Sequence, residues 1–257
     1  MREDLKYLIV GDTIIDEDVS LEAVGLSLES PTLKTTYRSK NINYGGSANV
    51  ARFLAGFGRD VTFLTSLSDD HIGMMDLKVK SFYQGKNNTK SRYWVTHGDS
   101  TYKYLQINDV NDEDSISPLI DIDLSPYDII ALADYRCGFI TDPFIKTCLS
   151  AGKMTYVSSQ VSSRPSNYYK YEDFDYIVCN EKESRLIKRD NDVCITKGSK
   201  GCSFNGINFI PYPVENPVNT IGAGDCFYAA LLATGDPDYA NRQASKFVAS
   251  EIHEQNN

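Results

Sequence analysis

Short apolar runs punctuate the chain. Tyr7-Leu8-Ile9-Val10 stops at Gly11-Asp12, Val61–Leu67 is followed by Asp69-Asp70, and Asp128–Asp134 ends in an acid. Lys153–Val157, Asp175–Asn180 and Val193–Thr196 repeat the pattern. Runs of this length, rich in β-branched and aromatic residues, predict strands buried in a core. Between them the spacing turns helical. Val50, Phe53, Leu54 and Phe57 fall on one helical face, and a second helix-forming run begins at Cys226. This alternation predicts an α/β fold with a mostly parallel sheet and helices on both faces.

Two parts break the rhythm. Residues 19–45 carry alternating pieces such as Thr32–Tyr37, which read as a half-exposed β-layer. Ser91–Val95 and Thr101–Leu105 read as a hairpin around Gly98-Asp99. Together they predict a small β-sheet lid, within about 12–45 and 88–106, on a single domain over 1–257. The acidic stretch Asn111–Asp114 reads as a solvated loop, and no repeat or linker divides the chain.

Composition narrows the function. A chain of 257 residues, 41% hydrophobic, suits one large α/β domain or two small ones. With 35 Asp+Glu against 26 Lys+Arg, the net charge of −9 argues against a nucleic-acid partner. No apolar run approaches a membrane span, and Met1-Arg2-Glu3-Asp4 does not read as a signal peptide, so a soluble cytoplasmic protein is expected. Six cysteines without C-x-x-C spacing predict reduced, buried thiols rather than a zinc site or disulfide framework. Three scattered histidines offer no metal or triad cluster.

The chemistry centres on Asn219-Thr220-Ile221-Gly222-Ala223-Gly224-Asp225, directly before the apolar run from Cys226. A glycine turn opening a helix leaves backbone N–H groups uncovered at a positive dipole end, which suits an anion. Asp225, on the first turn, would take a proton from a hydroxyl that attacks a phosphate; a plain helix cap is the alternative. Asp16, just past the first strand, lies where open α/β sheets bind ligands and would accept hydrogen bonds from substrate hydroxyls, unless it is one loop acid among Glu17 and Asp18. Gly45-Gly46 lets a backbone approach a ligand, and Asn49 offers a donor and an acceptor. No G-x-x-x-x-G-K-[ST] occurs, so a phosphate cradle would be of another type.

Gly11–Asp16, Gly45-Gly46-x-x-Asn49-x-Ala51, Asn180-x-x-Glu183, Thr196-x-Gly198-x-x-Gly201 and Gly222-Ala223-Gly224-Asp225 stand in the order and near the spacing of one family. Through them the chain resembles the ribokinase-like (PfkB) carbohydrate kinases over nearly its whole length. Ser27–Pro31, Thr89–Tyr93 and Ala133–Gly138 look most like the heptose-7-phosphate kinases, the kinase half of ADP-heptose biosynthesis proteins. The resemblance implies ATP and Mg²⁺ as cofactors and a sugar or sugar phosphate as acceptor. Asp225 would be the base, with Gly222, Ala223 and Gly224 forming the anion hole. Thr196, Gly198, Gly201 and Thr220 would lie on the nucleotide side. Asn180 and Glu183 would hold Mg²⁺ and phosphates through water, and Asp16, Gly45, Gly46 and Asn49 the sugar. Related kinases often pair through their lids, so a homodimer through that layer is an expectation. Asn219 stands where the family usually carries an acid, which in some relatives lies near a K⁺ site. Cys137 replaces a lysine typical of the heptose kinases. A kinase for another sugar or a nucleoside, and an inactive nucleotide- or sugar-binding homologue, are the alternatives.

Overall fold

The computed structural model describes residues 4–112, 120–160, 165–189, 192–215, 217–218 and 220–249; Asn219 lies outside them. The chain opens with β1 (Lys6–Gly11), β2 (Thr13–Leu26), β3 (Leu33–Gly46), α1 (Ser47–Gly56), β4 (Asp60–Thr65), α2 (Asp69–Ile72) and β5 (Lys78–Ser81). Next come β6 (Asn88–His97), β7 (Ser100–Asp109), β8 (Ile129–Asp134), α3 (Asp142–Ser150), β9 (Met154–Ser159) and β10 (Tyr176–Asn180). The last elements are α4 (Glu181–Ser184), β11 (Val193–Thr196), β12 (Cys202–Phe204), β13 (Ile207–Phe209), α5 (Ala223–Thr234) and α6 (Pro237–Val248).

The main sheet runs β13-β12-β11-β10-β9-β8-β1-β4-β5. It is parallel from β5 to β11, and β12 and β13 add an antiparallel edge. Its middle strands are apolar without alternation because both faces are covered. Tyr7 and Ile9 of β1 pack in the core that holds α1 and α5, while Leu8 and Val10 pack in the one that holds α3. The mostly parallel, two-faced sheet is as the alternation predicts. The connection over 70–90 keeps one short helical turn, α2, and adds the edge strand β5, which its Lys/Ser composition hides from a search for apolar runs.

Helix α5 fixes the geometry of the site. Every residue from Cys226 to Ala233 is buried, so the helix is enclosed all round rather than amphipathic. The Tyr228 hydroxyl donates to Leu132 O (3.1 Å) and the Tyr7 hydroxyl to Leu232 O (3.3 Å), tying the helix to the central strands. Amphipathic α6 packs on α5 and covers it, with Phe247 edge-on to Phe53 of α1.

The lid is a separate four-stranded sheet in the order β3-β2-β6-β7. Its outer pairs are antiparallel, and its central β2–β6 pair is parallel. Asp16 is therefore a strand residue of the lid and not a loop acid. The run Asp16-Glu17-Asp18 is satisfied across the sheet: Arg92 donates to Asp16 Oδ1 (2.8 Å), Ser91 to Glu17 Oε2 (2.8 Å) and the Trp94 indole to Asp18 Oδ1 (2.7 Å). All six cysteines are free and buried.

Candidate active site

Gly222 caps the N-terminus of α5 at φ 90, a left-handed conformation that costs glycine little. The turn aims the first N–H groups of the helix, which lack partners one turn back, toward the sheet's C-terminal edge. Among them the Ala223 N–H donates to Thr220 O at 3.3 Å. Thr220 thus holds the turn through its own backbone.

Asp225 sits half-buried on the first turn of α5. Asn49 Nδ2 donates to its Oδ2 at 3.1 Å, and the Tyr135 hydroxyl donates to its Oδ1. Burial pushes the carboxyl up from 3.8 to about 6, while the Tyr135 and Asn49 hydrogen bonds and the Arg52 guanidinium pull it down. The group is therefore ionised at neutral pH yet close enough to it to accept a proton. Arg52, one turn after Asn49 on α1, donates to Asn49 Oδ1 and so orients the amide.

A pair of carboxylates adjoins Asp225 through the turn that carries Tyr135. Asp12 and Asp134 end β1 and β8 and are both buried. Asp12 Oδ2 accepts the N–H of Tyr135 (3.0 Å) and of Cys137 (3.3 Å), and its Oδ1 that of Phe139 (3.1 Å). Asp134 Oδ1 accepts the Arg136 N–H (2.8 Å), while Oδ2 accepts from Asn167 (2.7 Å), Tyr171 (2.7 Å) and Ser159 (3.1 Å). Burial first, and the Asp134 charge second, hold Asp12 well above the usual carboxylate range. The pair clamps the turn after β8, in which Arg136 adopts a left-handed φ of 61.

A cavity of about 360 Å³ opens between the ends of β8–β11 and the start of α5. Asn180, Glu183, Thr196, Gly224 and Asp225 line it together with Tyr135 and Gln160. Asn180 and Glu183 form a reciprocal cap on α4: Asn180 Oδ1 accepts from the Lys182 and Glu183 N–H groups, and Glu183 Oε2 accepts the Asn180 N–H at 2.8 Å. These two side chains are committed to the turn, so they suit a hydrated cation held through water better than a directly ligated one. No cluster of three or more metal-ligating side chains occurs among the described residues.

The remaining sequence candidates are not among the residues that line this cavity. Gly198, two residues beyond Thr196, starts the 3-10 turn Gly198–Lys200, and Gly201 follows it. Gly45 and Gly46 end β3 at the base of the lid, paired with Ile14 and Thr13. At Gly46, with φ 65, an added Cβ would lie 2.5 Å from Asp12 O, so only glycine fits the crossing of lid and core. Asp16 faces Gly45 and is engaged by Arg92. Tyr135, Arg52 and the Asp12–Asp134 pair belong to the network around Asp225 without standing among the sequence candidates. Acids at two adjacent strand ends were the available signal for the pair.

Residues 150–244 match the family model described as pfkB family carbohydrate kinase, a span that contains Asn180, Glu183, Thr196 and the 222–225 motif. The chain is 25% identical over 255 residues to the bifunctional protein HldE of Campylobacter jejuni (strain RM1221), covering 88% of this chain and 55% of that protein. It thus spans about half the length of the curated relatives it matches. In fold it is similar to a microbiome-derived acarbose kinase, with TM-score 0.66 at 15% identity, covering 95% of this chain and 91% of that one. Arabidopsis thaliana ribokinase, solved with ribose and ATP, gives TM-score 0.65 at 19% identity over 96% and 90% of the two chains. The architecture is ribokinase-like along nearly the whole chain, and residues 150–244 match the carbohydrate-kinase family that the motifs resemble.

Proposed function

We propose that the protein transfers the γ-phosphoryl group of ATP to a hydroxyl of a sugar or sugar phosphate, with a heptose 7-phosphate as the favoured acceptor. The observation that carries this reading is the meeting of Asp225, the opening of α5 and the Asn180–Glu183 cap on one cavity. Asp225 takes the acceptor's proton as its oxygen attacks the γ-phosphorus. The bond from that phosphorus to the bridging oxygen breaks, and ADP leaves. The N–H groups of Gly222, Ala223 and Gly224 stabilise the charge on the transferring group from a fixed helix end. Because the Ala223 N–H donates to Thr220 O, its share requires that bond to loosen. Thr196, Gly198, Gly201 and Thr220 would flank the nucleotide. Mg²⁺, held by Asn180 and Glu183 through water, would neutralise phosphate charge. Asp16, Gly45, Gly46 and Asn49 would seat the sugar under the lid.

Heptose 7-phosphate is favoured by the likeness of Thr89–Tyr93 and Ala133–Gly138 to the kinases that use it. Another sugar or a nucleoside is the second reading, favoured by the fold likeness to ribokinase solved with ribose and ATP. The lid exposes Tyr37, Tyr102, Tyr104, Leu105 and Ile107, apolar area that suits a homodimer; sedimentation showing a monomer at high concentration would reject it. No helix among the described residues is long and apolar enough to cross a membrane, and ATP as donor goes with a cytoplasmic location. The test of the reaction is ADP release with ATP against a panel of heptose 7-phosphates, other sugar phosphates, free sugars and nucleosides. One acceptor should stimulate release strongly. ATP binding with no stimulation by any acceptor would favour an inactive binding homologue.

A further inference from the structure

Tyr135 joins the two carboxylate systems of the site. Its backbone N–H is held by Asp12, which also holds Cys137 and Phe139, so the turn carrying it is clamped at three points. Asp134 clamps the same turn through the Arg136 N–H. From that turn the Tyr135 hydroxyl donates to Asp225 Oδ1, 90 residues away in sequence, and both residues line the cavity. Asn49 meets the other oxygen of the same carboxylate. Asp225 is thus gripped from two elements, the turn after β8 and helix α1.

We infer that Tyr135 is a positioning residue for Asp225: its hydroxyl holds Oδ1, fixing the orientation and charge state of the carboxylate that meets the acceptor. This rests on the kinase reading above. The charged and titratable groups facing the contact are Asp225 and Arg52 on the helix side, and Asp12 and Asp16 on the sheet and lid side. Three carboxylates around a buried phenol keep it protonated, and its own titration is pushed well above the usual range, by burial first and Asp225 second. Tyr135 therefore stays a donor throughout turnover and takes no proton itself. Oδ2, shared with Asn49, is left for the acceptor hydroxyl, since a carboxylate oxygen has two lone pairs. The fixed donor favours the ionised carboxylate against the burial that opposes it.

The first readout of the test needs no acceptor. The Asp225 carboxyl is titrated by ¹³C NMR in Asp-labelled protein, its signal assigned by its loss in Asp225→Asn. In Tyr135→Phe, which keeps the ring and its packing, the midpoint should rise by about one to two units. ATP binding should stay close to wild type, and so should the unfolding temperature near pH 5, where the carboxyl is mostly protonated in both proteins. Tyr135→Leu is the second variant if Phe alters the fold, with the same shift expected. With heptose 7-phosphate and ATP, the acid limb of the kcat/KM profile should move up in parallel. An unchanged midpoint in either folded variant overturns the inference. A shifted midpoint with no phosphoryl transfer by the wild-type protein overturns the kinase reading while leaving the Tyr135–Asp225 coupling standing.

Discussion

Replacing Asp225 by Asn separates its role as base from its role as a charge on the first turn of α5. The amide has nearly the same shape but cannot take a proton, so turnover should fall by about 10²–10⁴-fold. Stability should move the other way. The rise of the carboxyl from 3.8 to about 6 means that the folded chain opposes ionisation, and that difference is worth about 3 kcal/mol at pH 8. Between those two values the folded state binds a proton that the unfolded state has released. The group's contribution is therefore full below pH 3.8 and is lost as pH rises through about 6. Asn carries no such slope. Against this relief, an amide turned with its oxygen toward Tyr135 presents its NH₂ to Asn49 Nδ2, a donor facing a donor, at a loss of about 1 kcal/mol. The helix-end attraction for a negative charge is another loss of about 0.3–1 kcal/mol. The net expectation is a variant about 1–2 kcal/mol more stable than wild type at pH 8, with the advantage gone near pH 4. Urea unfolding at several pH values, beside ADP release, checks both halves. Parallel stability curves from pH 4 to 8, or wild-type turnover in the variant, would refute the reasoning.

Three further outcomes are expected. Asp134→Ala strips the Ser159, Asn167, Tyr171 and Arg136 donors of one buried acceptor and should destabilise by about 3–5 kcal/mol, read as a lowered urea midpoint at pH 8. Gly198→Val places a β-branched residue at φ 57 beside Thr196, so ATP binding should weaken several-fold while acceptor binding holds; equal loss of both in calorimetry would point to misfolding. Because Asn219 keeps an oxygen but drops a charge, exchange of Na⁺ for K⁺ should leave the rate nearly unchanged, and a several-fold rise would contradict this.

The core strands were legible because both faces of the sheet are covered, which turns Tyr7–Val10 and Ile129–Ala133 into unbroken apolar runs. The lid was legible as half-exposed alternation, but its central parallel pairing was not, since register across distant segments leaves no local trace. Strand β5 escaped because Lys78-Val79-Lys80-Ser81 is an edge, where charge replaces apolar burial. In the site, the 222–225 turn and the Asn180–Glu183 cap could be seen because each is made by neighbours in sequence. The contacts on Asp225 from Asn49 and Tyr135 span 176 and 90 residues and could not. The helix-start position suggested a carboxylate stabilised by the dipole; burial outweighs it and raises the titration instead.

The central claim is phosphoryl transfer by Asp225, and label transfer tests it most directly. Wild-type protein and Asp225→Asn are incubated with γ-³²P-labelled ATP, Mg²⁺ and heptose 7-phosphate, and the label is followed into a sugar bisphosphate. The account predicts labelled bisphosphate from the wild type, and a rate lower by about 10²–10⁴-fold from a variant that still binds ATP. Equal rates would leave Asp225 a structural acid on the first turn of α5 and not a base. Bound nucleotide with no label transferred, here or to any acceptor of the panel, would contradict the claim itself.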